Sequence, residues 1–292
     1  MRILLGMILC IALTGCYNRD KKVDKKKLLG RDYRLFQDTP VWGLAKAVED
    51  ENITLINQLA TEKKIPIDYK ESKFGNTLLM LAIGNNDYES VKALLDLGAN
   101  PNIADDYRGS TPMHDAAKNE DPKYLKLLIE HKGNPNVIEN RPITEDDQGR
   151  NVPLNEAISH LSGNNLEKVK LLVGAGANIN YSNDGTPFYT RLPLAASIIH
   201  GQFDITLYLL QQGARYDGVM YKTVQGESIY ILGALRSKVI DLNTDEYKQK
   251  RKVISFLKAK GLDYEKEPIP DYIEKDIEKK HPNNSQEYLS KY

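Results

Sequence analysis

GNTLLMLAIGNNDYESVKALLDLGANPN, residues 75–102, decides the fold, because it returns 34 positions later as GSTPMHDAAKNEDPKYLKLLIEHKGNPN, residues 109–136. Working outward, further copies lie at 149–180 (GRNVPLNEAISHLSGNNLEKVKLLVGAGANIN) and 192–217 (LPLAASIIHGQFDITLYLLQQGARYD). An eroded earlier copy, TPVWGLAKAVEDENITLINQLATEKKIPID, occupies 39–68. In each, a turn opens a short helix carrying a small residue, Ala82, Ala116 or Ala157, where neighbouring copies must approach closely. A second helix follows with apolar residues at helical spacing, such as Val91, Leu94 and Leu95, or Val169, Leu171 and Leu172. It stops at Gly98, Gly133, Gly176 or Gly213, glycine being expected there because it accepts positive φ without a Cβ clash. One copy cannot bury its apolar stripe alone, so the copies must stack into a continuous core.

This period and the partial motif at Thr111-Pro112-Met113-His114 resemble the ankyrin repeat, whose period is about 33 residues and whose signature is T-P-L-H-x-A. The resemblance implies an all-α solenoid of helix-turn-helix repeats with short β-hairpin-like connections. An ordinary helical bundle is the alternative, but it would not bring turn, alanine and glycine positions back from copy to copy along five aligned copies. The copies depart from the signature. Threonine-proline is intact only at Thr39-Pro40 and Thr111-Pro112; Leu78 replaces the proline, and Val152 and Leu192 the threonine. His114 alone fills the histidine position, so the other turns are expected to be looser.

Beyond residue 217 a lengthened last repeat is expected, with helices at 229–235 and about 244–259 and a stop at Gly261. Lys248, Lys250, Arg251 and Lys258 read as the water-facing side of a capping repeat. The polar stretch after it, with Pro268 and Pro270, reads as a short exposed helix and a disordered end. The repeat domain is thus expected over residues 38–264, in about six repeats of which the first and last are atypical, with a polar tail at 265–292.

The first sixteen residues, MRILLGMILCIALTGC, carry one cation, Arg2, and an apolar run from Ile3 to Leu13. Such a run suits the apolar stretch of a signal peptide, roughly 7–15 residues, and falls short of the ~20 that span a bilayer. Leu13-Thr14-Gly15-Cys16 resembles the bacterial lipobox, which implies a signal peptide at 1–15 and a lipid-bearing Cys16. An ordinary cleaved signal or a short uncleaved anchor are the alternatives. The two cysteines are Cys10 and Cys16, so a mature chain of this kind carries neither a free thiol nor a disulfide. Residues 16–37 read as a flexible linker, and its lysines, Lys21, Lys22, Lys25, Lys26 and Lys27, as solvated rather than gripping anionic headgroups, because Asp20 and Asp24 dilute the charge. In proteobacterial lipoproteins an aspartate after the cysteine marks inner-membrane retention. Tyr17 stands there, which implies the periplasmic face of the outer membrane.

Lys and Arg number 40 and Asp and Glu 40, a balance that argues against nucleic acid, which demands a basic patch or stripe. The histidines, His114, His131, His160, His200 and His281, are scattered without H-E-x-x-H, so no metal site and no cofactor is expected. GAGAN at 174–178 follows a helix instead of preceding one, which makes it a helix stop and not a phosphate loop. Asp105-Asp106 and Asp146-Asp147 read as solvated loop carboxylates. No catalytic residue is expected, and the chain reads as a binding protein, not an enzyme. Tyrosine outnumbers phenylalanine 17 to 5, and two connections, 137–148 and 181–191, exceed the repeat pattern. Tyr107, Arg108, Arg141, Tyr181, Phe188, Tyr189, Arg191, Tyr216 and Tyr221 therefore become the candidate partner-binding residues on the hairpin tips; the alternative is that the tyrosines cover hairpin edges. Bacterial ankyrin lipoproteins of this layout resemble immunity proteins that cap type VI secretion phospholipase effectors. That resemblance implies a secreted phospholipase as protein partner, and a scaffold for an endogenous periplasmic enzyme is the second reading.

Overall fold

The structure, a computed structural model, describes residues 18–140, 150–160, 163–182 and 192–292. Five helix pairs follow one another: α1 Trp42–Glu49 and α2 Ile53–Thr61, α3 Leu78–Asn85 and α4 Tyr88–Asp96, α5 Pro112–Lys118 and α6 Pro122–Glu130, α7 Pro153–Ser159 and α8 Asn165–Gly174, α9 Pro193–Ile199 and α10 Phe203–Gln211. A sixth pair, α11 Ile231–Arg236 and α12 Asp245–Ala259, is preceded by a hairpin of β1 Tyr221–Lys222 and β2 Ser228–Ile229, paired antiparallel with Tyr221 opposite Ile229. The helices form two layers. First helices touch first helices in the order α1, α3, α5, α7, α9, α11, and second helices do the same from α2 to α12. This is the ankyrin solenoid expected from the sequence.

The layers meet over a continuous core. Ala82, Ala116 and Ala157 are fully buried, as are Leu94, Val169 and Leu172. Helix starts follow local chemistry: Thr77 and Asp121 accept backbone N–H groups of α3 and α6, and proline opens α5, α6, α7 and α9 where its missing donor costs nothing. At the second-helix ends Gly98, Gly176 and Gly213 take positive φ. Gly133 does not. There Lys132 adopts φ 66°, and a Cβ on Gly133 would lie 2.4 Å from Met113 Sδ and 2.9 Å from Leu128 O. Gly133 therefore serves close packing, and the left-handed position, 34 residues after Gly98, is carried by a lysine.

Two hydrogen-bond series tie repeat to repeat. In one, a side-chain oxygen of a turn accepts from the backbone N–H of the next turn: Asp68 from Asn100 (2.9 Å), Asn102 from Asn134 (2.8 Å), Asn136 from Asn178 (2.7 Å) and Asn180 from Arg215 (2.8 Å). The other satisfies carbonyls at the C-terminal ends of first helices, which have no partner within the helix. Ser90 donates to Val48 O (2.7 Å), Asn119 to Ile83 O (3.3 Å), Lys168 to Ala117 O and Asn119 O (3.0 Å each), and Gln202 to Ile158 O (2.9 Å). Burial pushes the Lys168 ammonium down to about 8; its two carbonyl acceptors compensate for the lost water.

Both ends differ from their reading as loose segments. Residues 18–37, expected as a flexible linker, pack on the first repeats through buried Leu28, Tyr33, Leu35 and Phe36. Gln37 clasps the stretch, its amide donating to Arg19 O (2.6 Å) and Lys21 O (3.0 Å). Arg19 meets both Asp50 oxygens at 2.7 and 2.9 Å. The apolar residues of this segment sit in irregular 3-10 turns, so they show no period to read. At the other end α13 Asp271–Lys280 and α14 Ser285–Lys291 form a helical pair, not a disordered end. Ile273, Ile277, Tyr288 and Tyr292 bury themselves together against Val239 and Leu242. Lys250, read as water-facing, is fully buried. Its ammonium lies 4.1 Å from the Tyr292 ring centre and 5.4 Å from that of Tyr264.

Candidate protein-binding surface

The connections between repeats are hairpin-like tips, and the first three are closed by an acid at the same position. Glu71 accepts from the backbone N–H groups of Lys73 (2.6 Å), Phe74 (2.8 Å) and Asn76 (3.1 Å). Asp105, one period later, accepts from Tyr107 (2.8 Å), Arg108 (2.5 Å) and Gly109 (3.1 Å). Glu139 follows at the same interval, fully buried, and accepts from the Ser110 hydroxyl at 2.5 Å. Asp105 is thus a tip anchor and not a solvated loop carboxylate. Asp106 beside it receives the Lys70 ammonium at 2.6 Å, and its backbone N–H donates to Phe74 O at 2.7 Å. Successive tips lie so close that Gly75 and Gly109, both at positive φ, admit no side chain: a Cβ would sit 2.6 Å from Asp106 N and 2.7 Å from Asn140 N respectively.

His114 stiffens one tip. Its Nδ1 accepts from the Thr111 backbone N–H at 3.1 Å, which leaves Nε2 to donate to Asn151 O at 3.2 Å. Burial holds the ring's proton affinity below the ordinary histidine value, so the neutral form is favoured. The equivalent positions carry Met80, Asn155 and Ala195, and each of these three is buried.

On this frame Tyr107 projects outward, 65% exposed, its ring edge-on to Phe74 at 6.0 Å. The Lys73 ammonium lies 4.5 Å from the Phe74 ring centre. Arg108 shares the tip, but its Nε lies 3.5 Å from Glu139 Oε1, so part of its charge balances a buried carboxylate. The Tyr181 hydroxyl donates to Arg150 O. Tyr216 and Tyr221 are half-buried and packed against the core at the base of the last hairpin, closer to the edge-covering reading. Neither makes a ring contact with Tyr107 among the described residues. Arg141, Phe188, Tyr189 and Arg191 lie outside the described residues, as does Cys16.

The structure adds tip residues that the sequence reading passed over: Phe74, Ile138 (48% exposed), Val224 (82%) and Tyr230 (55%). Phe74 and Ile138 flank the recurring acids Glu71 and Glu139, a period visible in the sequence. Val224 stands in a turn ending at Gly226, φ 86°, which is also a legible hairpin signal. Among the described residues no group of three or more His, Cys, Asp or Glu is placed to hold a metal, and no helix is long and apolar enough to cross a membrane.

A tandem array of helix pairs with projecting, partly aromatic tips defines an interaction scaffold. Residues 44–140 match the family model for ankyrin repeats in three copies, so the chain carries ankyrin repeats, which are modules for protein–protein interaction. Similar proteins include human transient receptor potential cation channel subfamily A member 1, 29% identical over 146 residues, and putative ankyrin repeat protein FPV014 of fowlpox virus, 30% over 142. Protein PhlB of Serratia liquefaciens is 29% identical over 133 residues. These matches take in 50, 49 and 46% of the present chain but 12, 29 and 55% of the respective relatives, less than two thirds of each.

Proposed function

We propose that the chain is a lipoprotein anchored through Cys16 at the periplasmic face of the outer membrane, and that its repeat surface captures a protein. The partner is a secreted phospholipase delivered by a type VI system, which the chain neutralises as an immunity protein. The observation that carries this reading is the coincidence of a lipobox-like Leu13-Thr14-Gly15-Cys16 with an ankyrin scaffold whose folded part begins within a few residues of that cysteine. A toxin that attacks phospholipids from the periplasm must be met there, and a scaffold acting by occlusion needs only complementary surface. The match to Protein PhlB of Serratia liquefaciens, a bacterium, is in keeping with a bacterial setting.

Co-expression tests the reading. A strain making the lipase-like protein encoded beside this chain, directed to the periplasm, should survive only when this chain is also exported. Survival without it sinks the immunity role. A housekeeping enzyme as the neighbouring gene, stabilised by this chain, supports the scaffold reading in its place.

A further inference from the structure

The lysine-rich turn before the first repeat is ordered, and its order changes the balance of charge that it presents. Asp20 is engaged by the Lys46 ammonium at 2.9 Å and the Trp42 indole N–H at 2.8 Å. Asp24 faces the turn itself, accepting from the Lys26 backbone N–H at 3.1 Å, and Asp32 is held by the Arg34 guanidinium. Asp20 and Asp32 are thus paired with cations outside the lysine run, and Asp24 alone stays exposed in the turn against four outward lysines. Lys25 also turns inward, its ammonium donating to Gln37 O.

Lys21, Lys22, Lys26 and Lys27 remain exposed, and among the described residues only the Lys22 ammonium of these four lies within 4.0 Å of a carboxylate, that of Asp38. Lys73 reaches in from the second repeat and donates to Lys26 O (2.8 Å) and Leu28 O (2.7 Å), pinning the turn and adding a cation to it. Beside it Leu29 is 80% exposed while its neighbour Leu28 is buried. A cluster of exposed cations on an ordered turn, next to an outward leucine, is complementary to an anionic, apolar-backed surface. The lysines would reach phosphate headgroups while the leucine enters the interface.

We infer that Lys21, Lys22, Lys26 and Lys27, with Leu29, form a docking face for an anionic phospholipid bilayer, which seats the first repeat on the membrane and leaves the later repeats free for a partner. The geometry of the anchor agrees, and in this respect the inference rests on the lipoprotein reading. Lys21 is five residues from Cys16, at most about 18 Å of extended chain.

The test uses the full chain with Cys16→Ser, so that no acyl group contributes, in sedimentation with vesicles of phosphatidylcholine alone or with about 30 mol% phosphatidylglycerol. Binding is expected to be stronger on the anionic vesicles and to fall steeply in about 0.5 M salt. Charge reversal of Lys21, Lys22, Lys26 and Lys27 to Glu should weaken it at least ~100-fold, each lysine contributing about fivefold. The equal reversal of Lys252, Lys258, Lys260 and Lys279, exposed at the far end of the solenoid, should leave most of it. Equal binding to both vesicle types overturns the inference, as does equal loss in the two reversals. A first-repeat reversal that weakens only a protein complex assigns the face to a protein instead. Palmitate labelling of the unmutated chain is read separately: its absence removes the anchor and leaves the vesicle result standing on its own.

Discussion

The middle of the solenoid and its C-terminal end solve the same problem with different means. From α1 to α7 the terminal carbonyls of each first helix are met by one side chain from the neighbouring helix pair, and that side chain is a serine, an asparagine, a lysine and a glutamine in turn. After the sixth pair the described chain continues into α13 and α14. The carbonyls of Arg236, Lys238 and Ile240 are taken instead by hydroxyls of the terminal helix region, Tyr292 for the first two and Tyr288 for the third. The tail thus supplies what a seventh repeat would. Regular repeats share their stabilisation along the array, whereas the end relies on contacts made once and covers two buried cations in doing so. Arg236 is 4% exposed and Lys250 fully buried. The Arg236 guanidinium donates to Tyr264 O at 2.9 Å and lies 4.1 Å from its ring centre.

The largest effect is expected in the middle of the array. Leu172→Ala leaves a cavity between adjoining helix pairs and should cost about 2–5 kcal/mol, seen as an earlier denaturant midpoint. If the array is cooperative the whole solenoid should shift together. A loss confined to α7 and α8 would show that the repeats are less coupled than their hydrogen-bond series implies.

At the end the expected sign is opposite. Burial pushes the Lys250 ammonium down to about 7 from an ordinary value of 10.5. Between those limits the unfolded chain binds more protons than the folded one, so this residue makes stability rise with pH across the window. Its full penalty is present below about pH 7, where Lys250 is charged in both states. Lys250→Met should therefore stabilise by about 2 kcal/mol at pH 7 and flatten the rise toward pH 10. An unchanged slope in thermal melts across that range would assign the pH dependence to other groups.

The smallest effect sharpens the glycine comparison. Lys132→Gly relieves the positive φ of a residue with a Cβ and should gain about 0.5–1 kcal/mol; Gly98→Ala, at the equivalent position with open space around it, should lose a similar amount.

How legible each region was follows from whether its signal repeats. Ala82, Ala116 and Ala157, the apolar stripe through Leu172 and the stops at Gly98, Gly176 and Gly213 recur in register, and the structure uses them as the period implies. Gly133 shows where such reading slips: it stands one residue past the position that Gly98 occupies, and alignment by residue type hid the offset. Segment 18–37 and the helices α13 and α14 make contacts that occur once, so Gln37, Tyr288 and Tyr292 carry no period to betray them. Lys250 looked like a surface lysine because its aromatic cover, Tyr264 and Tyr292, lies far along the chain. In the candidate binding surface the tip positions of Tyr107 and Arg108 were readable from the turn. The demand of buried Glu139 on Arg108 was not, because it joins two different tips.

In the proposed arrangement the tips of the regular repeats hold a protein partner, the first segment anchors and the C-terminal pair caps. Hydrogen exchange on the chain with and without a bound protein partner is the measurement that decides it. Slowed exchange is expected at residues 70–76, 104–110 and 216–230, with α13 and α14 unchanged. Protection concentrated on the outer helices α2, α4 and α6, or on α13 and α14, with the tips unaffected, would contradict it.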